Sequence, residues 1–168
     1  AAIYERWKKL DILVGNAGVL GKLTPVSHVD PKMWDEVMAV NVTANYRLIR
    51  SMDPLLRQSD AGRAVFMTSG LAHKCWAYWG PYSISKAALE AMVKTYAAEI
   101  ATTRIRANCF SPGATRTDMR ATAMPGEDPM SLPHPDEVAA QAITMCEASF
   151  SDNGAVWKYD PKGLFKQF

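Results

Sequence analysis

Asp11-Ile12-Leu13-Val14-Gly15-Asn16-Ala17-Gly18 is a run of three apolar side chains that stops abruptly on a turn holding two glycines. A short continuous apolar run closed by such a turn is the mark of a buried strand of a parallel sheet. The residues on either side agree. Residues 3–9 read as the end of a helix, and a loop rich in Gly and Pro runs on to Val29. Asp30-Pro31 then supplies an N-cap followed by proline at the first helical position. The spacing predicts a helix from there to about Arg57, with Trp34, Val37, Met38, Val42, Tyr46 and Ile49 on roughly one face.

The same alternation continues. Ala61-Gly62 ends the helix, and Ala64-Val65-Phe66-Met67-Thr68 reads as a second buried strand. Pro81 opens a second long helix that ends near Ala101, and residues 105–110 form a third strand. Residues 135–148 read as a helix with Asp136 and Glu137 in its first turn, where acid suits the dipole. Residues 155–159 form a fourth strand, followed by a short basic tail over 161–168. Two loops stand out: 70–80, with His73, Trp76, Tyr78 and Trp79, and 111–134, with Pro112, Pro125, Pro129 and Pro133. The order β-α-β-α-β-α-β predicts an α/β fold: a parallel sheet covered by helices on both faces, with right-handed crossovers. One domain over 1–168 is expected.

Composition excludes several classes. Among 168 residues, 48% are hydrophobic and 21% charged, too apolar for a disordered chain. The longest apolar runs fall far short of the roughly 20 residues of a membrane span. Nineteen Lys and Arg against 17 Asp and Glu give a net charge of +2, scattered along the chain, so no nucleic-acid or membrane footprint is expected. Cys75, Cys109 and Cys146 form no CxxC and have no His at zinc spacing, so no metal site is expected. Widely spaced thiols and the absence of a signal peptide suit a reducing cytoplasm. The chain begins Ala1-Ala2-Ile3 without an initiator Met, which raises the expectation of missing upstream sequence.

Tyr82 and Lys86 stand four residues apart at the start of a helix, so their side chains share a face. A nearby ammonium favours the phenolate and makes tyrosine a usable proton donor and acceptor near neutrality. Ser69 lies at the end of the second strand, beyond the carboxyl ends where ligands of open α/β sheets sit. Each feature alone has a plainer explanation. Tyr-x-x-x-Lys is common, a serine at a strand end is commonly a turn or cap, and Asn41 within a helix reads as a solvated surface position. Gly15-Asn16-Ala17-Gly18 and Pro112-Gly113 are weak signals in isolation.

Taken together, the chain resembles the short-chain dehydrogenase/reductase family. Asn16-Ala17-Gly18, Asn41, Ser69, Tyr82-Ser83-Ile84-Ser85-Lys86 and Pro112-Gly113-Ala114-Thr115-Arg116-Thr117 match that family's motifs in order and spacing, over residues 4–160. Within it, residues 111–138 are most similar to a bacterial 3-oxoacyl-carrier-protein reductase-like subgroup. The resemblance implies a Rossmann-type three-layer fold and hydride transfer between NAD or NADP and a small-molecule carbonyl/alcohol pair. It implies Tyr82 as general acid/base and, with Lys86, as part of the cofactor site, Lys86 lowering its pKa and binding the nicotinamide ribose, and Ser69 holding the substrate oxygen. It implies Asn41 supporting a water that relays protons to Lys86. Asn16, Ala17 and Gly18 would line the cofactor cleft, and Pro112, Gly113, Thr115 and Thr117 would border the nicotinamide. It also implies a homodimer or homotetramer built on the two long helices.

The chain departs from the family in one respect. The opening strand with its glycine-rich pyrophosphate turn is absent, and so is the residue that selects NAD or NADP. The chain therefore corresponds to the family's strands four to seven. We expect an N-terminally incomplete protein that alone binds nicotinamide cofactors poorly. The other readings are a short form that borrows its missing half from a partner, a non-catalytic binding module on this fold, and a structural assembly subunit. Two loops are expected to select the substrate: His73, Cys75, Trp76, Tyr78 and Trp79 on one side, Met119, Met124 and Met130 on the other. His73 reads as a surface residue, and Arg116 and Arg120 as solvated charges, with contact to an acidic substrate as the alternative.

Overall fold

The computed structural model describes residues 2–167. Its elements follow in order: α1 (Ala2–Trp7), β1 (Ile12–Gly15), α2 (Pro31–Met38), a π-helical turn (Ala39–Thr43), α3 (Ala44–Leu56) and β2 (Arg63–Met67). Then come α4 (Leu71–Lys74), α5 (Gly80–Glu99), β3 (Arg106–Ser111), α6 (Asp118–Ala123), α7 (Pro135–Thr144), β4 (Val156–Lys158) and β5 (Phe165–Lys166). The strands form one sheet in the order β1-β2-β3-β4-β5. β1 to β4 pair parallel, and β5 pairs antiparallel with β4.

Strand alternation divides the sheet into two faces. On one, Leu13, Ala64, Phe66, Ala107, Cys109 and Val156 pack beneath Leu89 and Val93 of α5, Ile100 just past its end, and Leu56 of α3. On the other, Val65 and Phe110 pack beneath Val138 and Ala142 of α7 and beneath Met145. This gives three layers, as the strand–helix alternation predicts. Cover of the second face stops short of β1, however. α7 reaches only the middle of the sheet, and Ile12 and Val14 of the edge strand remain 47% and 44% exposed.

α2 starts where the sequence places it: Asp30 accepts from the amides of Lys32 and Met33 at 2.9 and 3.2 Å, with Pro31 first in the helix. The rod to Leu56 is not a uniform α-helix. The π-turn widens one turn, so buried positions fall at Val37, Asn41 and Asn45. Tyr46, expected on the apolar face, is exposed for that reason. The same shift overturns the reading of Asn41 as a solvated residue, since it is fully buried.

Four segments differ from expectation. The 70–80 loop contains α4, too short to show a period. The 111–134 loop contains α6, capped by Thr117 Oγ1 accepting from the Arg120 amide at 3.2 Å, and a 3-10 turn over Pro129–Ser131. The basic tail contributes β5. α7 ends at Thr144 rather than near 148. Arg63, buried at the amino end of β2, draws the carbonyls past that helix onto its guanidinium: Glu147 O at 3.0 Å and Ala148 O. The same group also binds the carbonyls of Gly62 and Arg104, at 2.9 and 3.3 Å. No described helix is long and apolar enough to cross a membrane.

Candidate active site

The carboxyl ends of β1, β2 and β3 open onto one cleft of about 790 Å³. β1 delivers Asn16, Ala17 and Gly18 to it, β2 delivers Ser69, and β3 delivers Pro112 and Gly113. Tyr82 and Lys86 enter from the first turns of α5, and Thr115 and Thr117 line the rim. The motif residues read from the sequence, from Asn16 to Thr117, therefore meet in one place, with one exception. Asn41 lies behind the cleft wall rather than on it.

Ser69 hydrogen-bonds the Tyr82 side chain, which lowers the phenol's pKa, but burial outweighs this and pushes the phenol above its ordinary value. Lys86 Nζ sits 5.7 Å from the centre of the Tyr82 ring and donates to the carbonyl of Met67 at 2.7 Å. Burial lowers Lys86 to about 8, with a small opposing effect from Cys109. The expected depression of Tyr82 by Lys86 is thus not what this structure contains. The same desolvation that raises the phenol also disfavours the lysine charge that would lower it.

Asn41 acts as a clamp. Its Oδ1 accepts from the Val19 amide at 2.8 Å, and its Nδ2 donates to the Val19 carbonyl at 2.9 Å and to Ser85 Oγ at 2.9 Å. Ser85 Oγ in turn donates to the carbonyl of Tyr82 at 2.8 Å. The loop after β1 is thereby fastened to the helix that carries Tyr82 and Lys86. Gly18 fits closely into this arrangement: a Cβ there would lie 3.3 Å from Lys86 Nζ and 3.5 Å from Asn41 Oδ1. Asn41's own carbonyl accepts from Asn45 Nδ2 at 2.9 Å.

Of the aromatic loop, Trp79 lines the cleft, with its ring edge-to-face on Tyr82 at 6.0 Å. Trp76 and Tyr78 are exposed, and so is His73, as expected of a surface residue, with its Nε2 2.8 Å from Oε2 of buried Glu90. Met119 reaches the cleft, while Met124 borders a separate pocket and Met130 is 73% exposed. Arg120 is held by Glu127 through two contacts at 2.6 and 2.7 Å, and Arg116 reaches Met130 Sδ at 3.3 Å. Arg120 thus lines the cleft with its charge paired to Glu127 rather than simply solvated. Sequence reading missed Ser85, Asn45, Thr68 and Glu90. Ser85 carried a signal in its place beside Lys86, but the other three are defined by distant partners.

Residues 1–128 match the family model described as short chain dehydrogenase. The chain belongs to the short-chain dehydrogenase family. "Uncharacterized oxidoreductase YciK" of Escherichia coli (strain K12) is 44% identical over 136 residues, covering 81% of this chain and 54% of that protein. The chain thus spans about half the length of this relative. A short-chain dehydrogenase from Salmonella enterica serovar Typhi superposes with a TM-score of 0.91 at 38% identity, covering 95% of this chain and 66% of that one. A short-chain dehydrogenase from Escherichia coli CFT073, solved in complex with NADPH, superposes with a TM-score of 0.88 at 40% identity, covering 95% and 67%. These short-chain dehydrogenase structures establish the sheet as Rossmann-type.

Proposed function

We propose that the protein is an NAD(P)-dependent oxidoreductase that interconverts a carbonyl compound and an alcohol, with Tyr82 as general acid/base. The observation that carries this reading is the convergence of Ser69, Tyr82 and Lys86 at the strand ends, in a cleft walled by the loops after β1 and β3. The residues present suit a nicotinamide cofactor. Gly18 keeps the wall beside Lys86 thin, and Gly113, at φ +70 with open space where a Cβ would stand, lets a ligand approach the backbone. Lys86, Asn16 and Gly18 would hold the ribose end, with Pro112, Gly113 and Thr115 beside the ring. When bound, the cofactor supplies or accepts the hydride.

The chain's own residues do the rest. Ser69 donates a hydrogen bond to the substrate oxygen. Tyr82 gives its phenolic proton to that oxygen as the carbonyl is reduced, and recovers it in the reverse direction. Its raised pKa keeps that proton in place until substrate arrives. Lys86 supplies a proton reserve at the buried end of the cleft, and Asn41 braces the loop that separates Lys86 from solvent. Related proteins solved with NADP and NADPH support the cofactor class. Three free thiols suit a cytoplasmic setting, and the long α2–α3 and α5 rods suit a homodimer or homotetramer.

The test follows nicotinamide absorbance with a panel of aldehydes, ketones and alcohols, using the natural full-length protein. Tyr82→Phe should lose about 10²- to 10⁴-fold in kcat with unchanged circular dichroism. Full turnover by that variant overturns the assignment. Residues 1–168 alone should bind either cofactor weakly, as titration calorimetry would measure.

A further inference from the structure

Glu90 lies on α5, four residues after Lys86 and eight after Tyr82, and its side chain is 3% exposed. Its helix neighbours Leu89 and Val93 fill the core. A carboxyl group at such a position costs folding free energy unless its partners compensate. Those partners are specific. Oε1 accepts from Thr68 Oγ1 at 2.6 Å, and Oε2 stands 2.8 Å from His73 Nε2. The imidazole contact is an ion-pair distance, and Oε2 takes no directed hydrogen bond among the described residues. Lys94 from the next turn of α5 approaches the same oxygen at 4.0 Å, and the Cys109 thiol of β3 lies within its electrostatic reach.

Thr68 immediately precedes Ser69, and His73 belongs to α4, which immediately follows the Ser69 turn. Between them the turn is closed by the Leu71 amide on Ser69 Oγ at 3.3 Å and the Ala72 amide on the Ser69 carbonyl at 3.0 Å. We propose that Glu90 is a positioning residue that grips both flanks of the Ser69 turn and fixes Ser69 relative to Tyr82 and Lys86. This rests on the oxidoreductase reading only for its consequence in turnover. One helix then carries the proton donor, the lysine and the anchor of the group that holds the substrate oxygen. The spacing among the three is set by α5 itself rather than by the loop. Small misplacements of such groups are costly in rate.

Two measurements on the full-length protein decide it. Hydrogen exchange of residues 68–75 should rise about tenfold or more in Glu90→Leu, with residues 63–67 and 106–111 unchanged. Glu90→Gln keeps an acceptor for Thr68 and should fall between wild type and Glu90→Leu. In turnover, Glu90→Leu should lower kcat about 10- to 100-fold while the KM for whichever of NADH or NADPH the protein uses stays within about twofold. Added to Ser69→Ala, it should cost almost nothing more, because both changes act through one group. Unchanged exchange over 68–75, or fully additive losses in the double variant, overturns the proposal. If the wild-type protein reduces no carbonyl compound, the oxidoreductase reading falls and the exchange measurement alone decides. A rise confined to 68–75 then upholds the anchor, and no rise removes it.

Discussion

Lys86 binds its proton less tightly when folded, at about 8 against an ordinary 10.5, because burial disfavours the ammonium. Between those values the unfolded chain holds a proton that the folded chain has released, so stability rises with pH across this window. The cost of the buried charge is fully present below about 8, and its relief by pH 10.5 is on the order of 3 kcal/mol. Urea unfolding of wild type and Lys86→Met should therefore diverge in slope between pH 7.5 and 9.5, values chosen to bracket about 8, with the variant flatter. Gly15 tests the packing below the site. A Cβ there would lie 2.4 Å from both Asn45 Oδ1 and the Phe66 ring, so Gly15→Ala should lose about 1–3 kcal/mol or more in the same assay. Tyr82, Lys86 and Ser69 were legible in the sequence because helical spacing and a strand end fix where they point. The field at Tyr82 was not legible, because it depends on how much protein surrounds Lys86. Glu90 was silent for a related reason: its partner Thr68 lies 22 residues away.

The π-turn is the element that the sequence concealed. Ala39-Val40-Asn41-Val42-Thr43 has no proline or glycine to mark it, and its β-branched residues suit an ordinary helix well enough to hide the extra residue. Its effect is to bring Asn41 and Asn45 onto the buried face in succession. Deleting Val40 would restore an α-helical period and rotate one of the two asparagines out of place. We expect such a variant to unfold at lower urea. Asn41→Leu should be destabilised by about 2–5 kcal/mol, because both polar atoms of the Val19 backbone lose their partner. Nuclear magnetic resonance should show the loop after β1 broadened in the Leu variant, with changes in α5 confined to the residues around Ser85. α2 and α5 were readable to within a residue or so at their starts because Asp30-Pro31 and Pro81 punctuate the chain. α6 offered a comparable Thr117-Asp118 signal, overshadowed by the prolines around it.

At the scale of the whole molecule, alternation alone was enough to read a parallel sheet, but not how far each helix reaches across it. Ile12 and Val14 are the result: two apolar side chains on an edge strand, with Tyr4 and Trp7 also exposed nearby in sequence. Such an edge templates pairing between copies. For residues 1–168 expressed alone, Ile12→Lys with Val14→Thr should reduce light scattering at high concentration while shifting the melting temperature by no more than about 2–4 °C. The amino ends of the strands, away from the cleft, behave differently. Arg63 gathers four main-chain carbonyls there, and a guanidinium keeps its proton throughout the range in which proteins are handled. That fastening is indifferent to acid and alkali, whereas Lys86 changes charge near 8. Mild alkalinisation thus changes the charge at the cleft end, while the Arg63 fastening at the amino ends of the strands keeps its own.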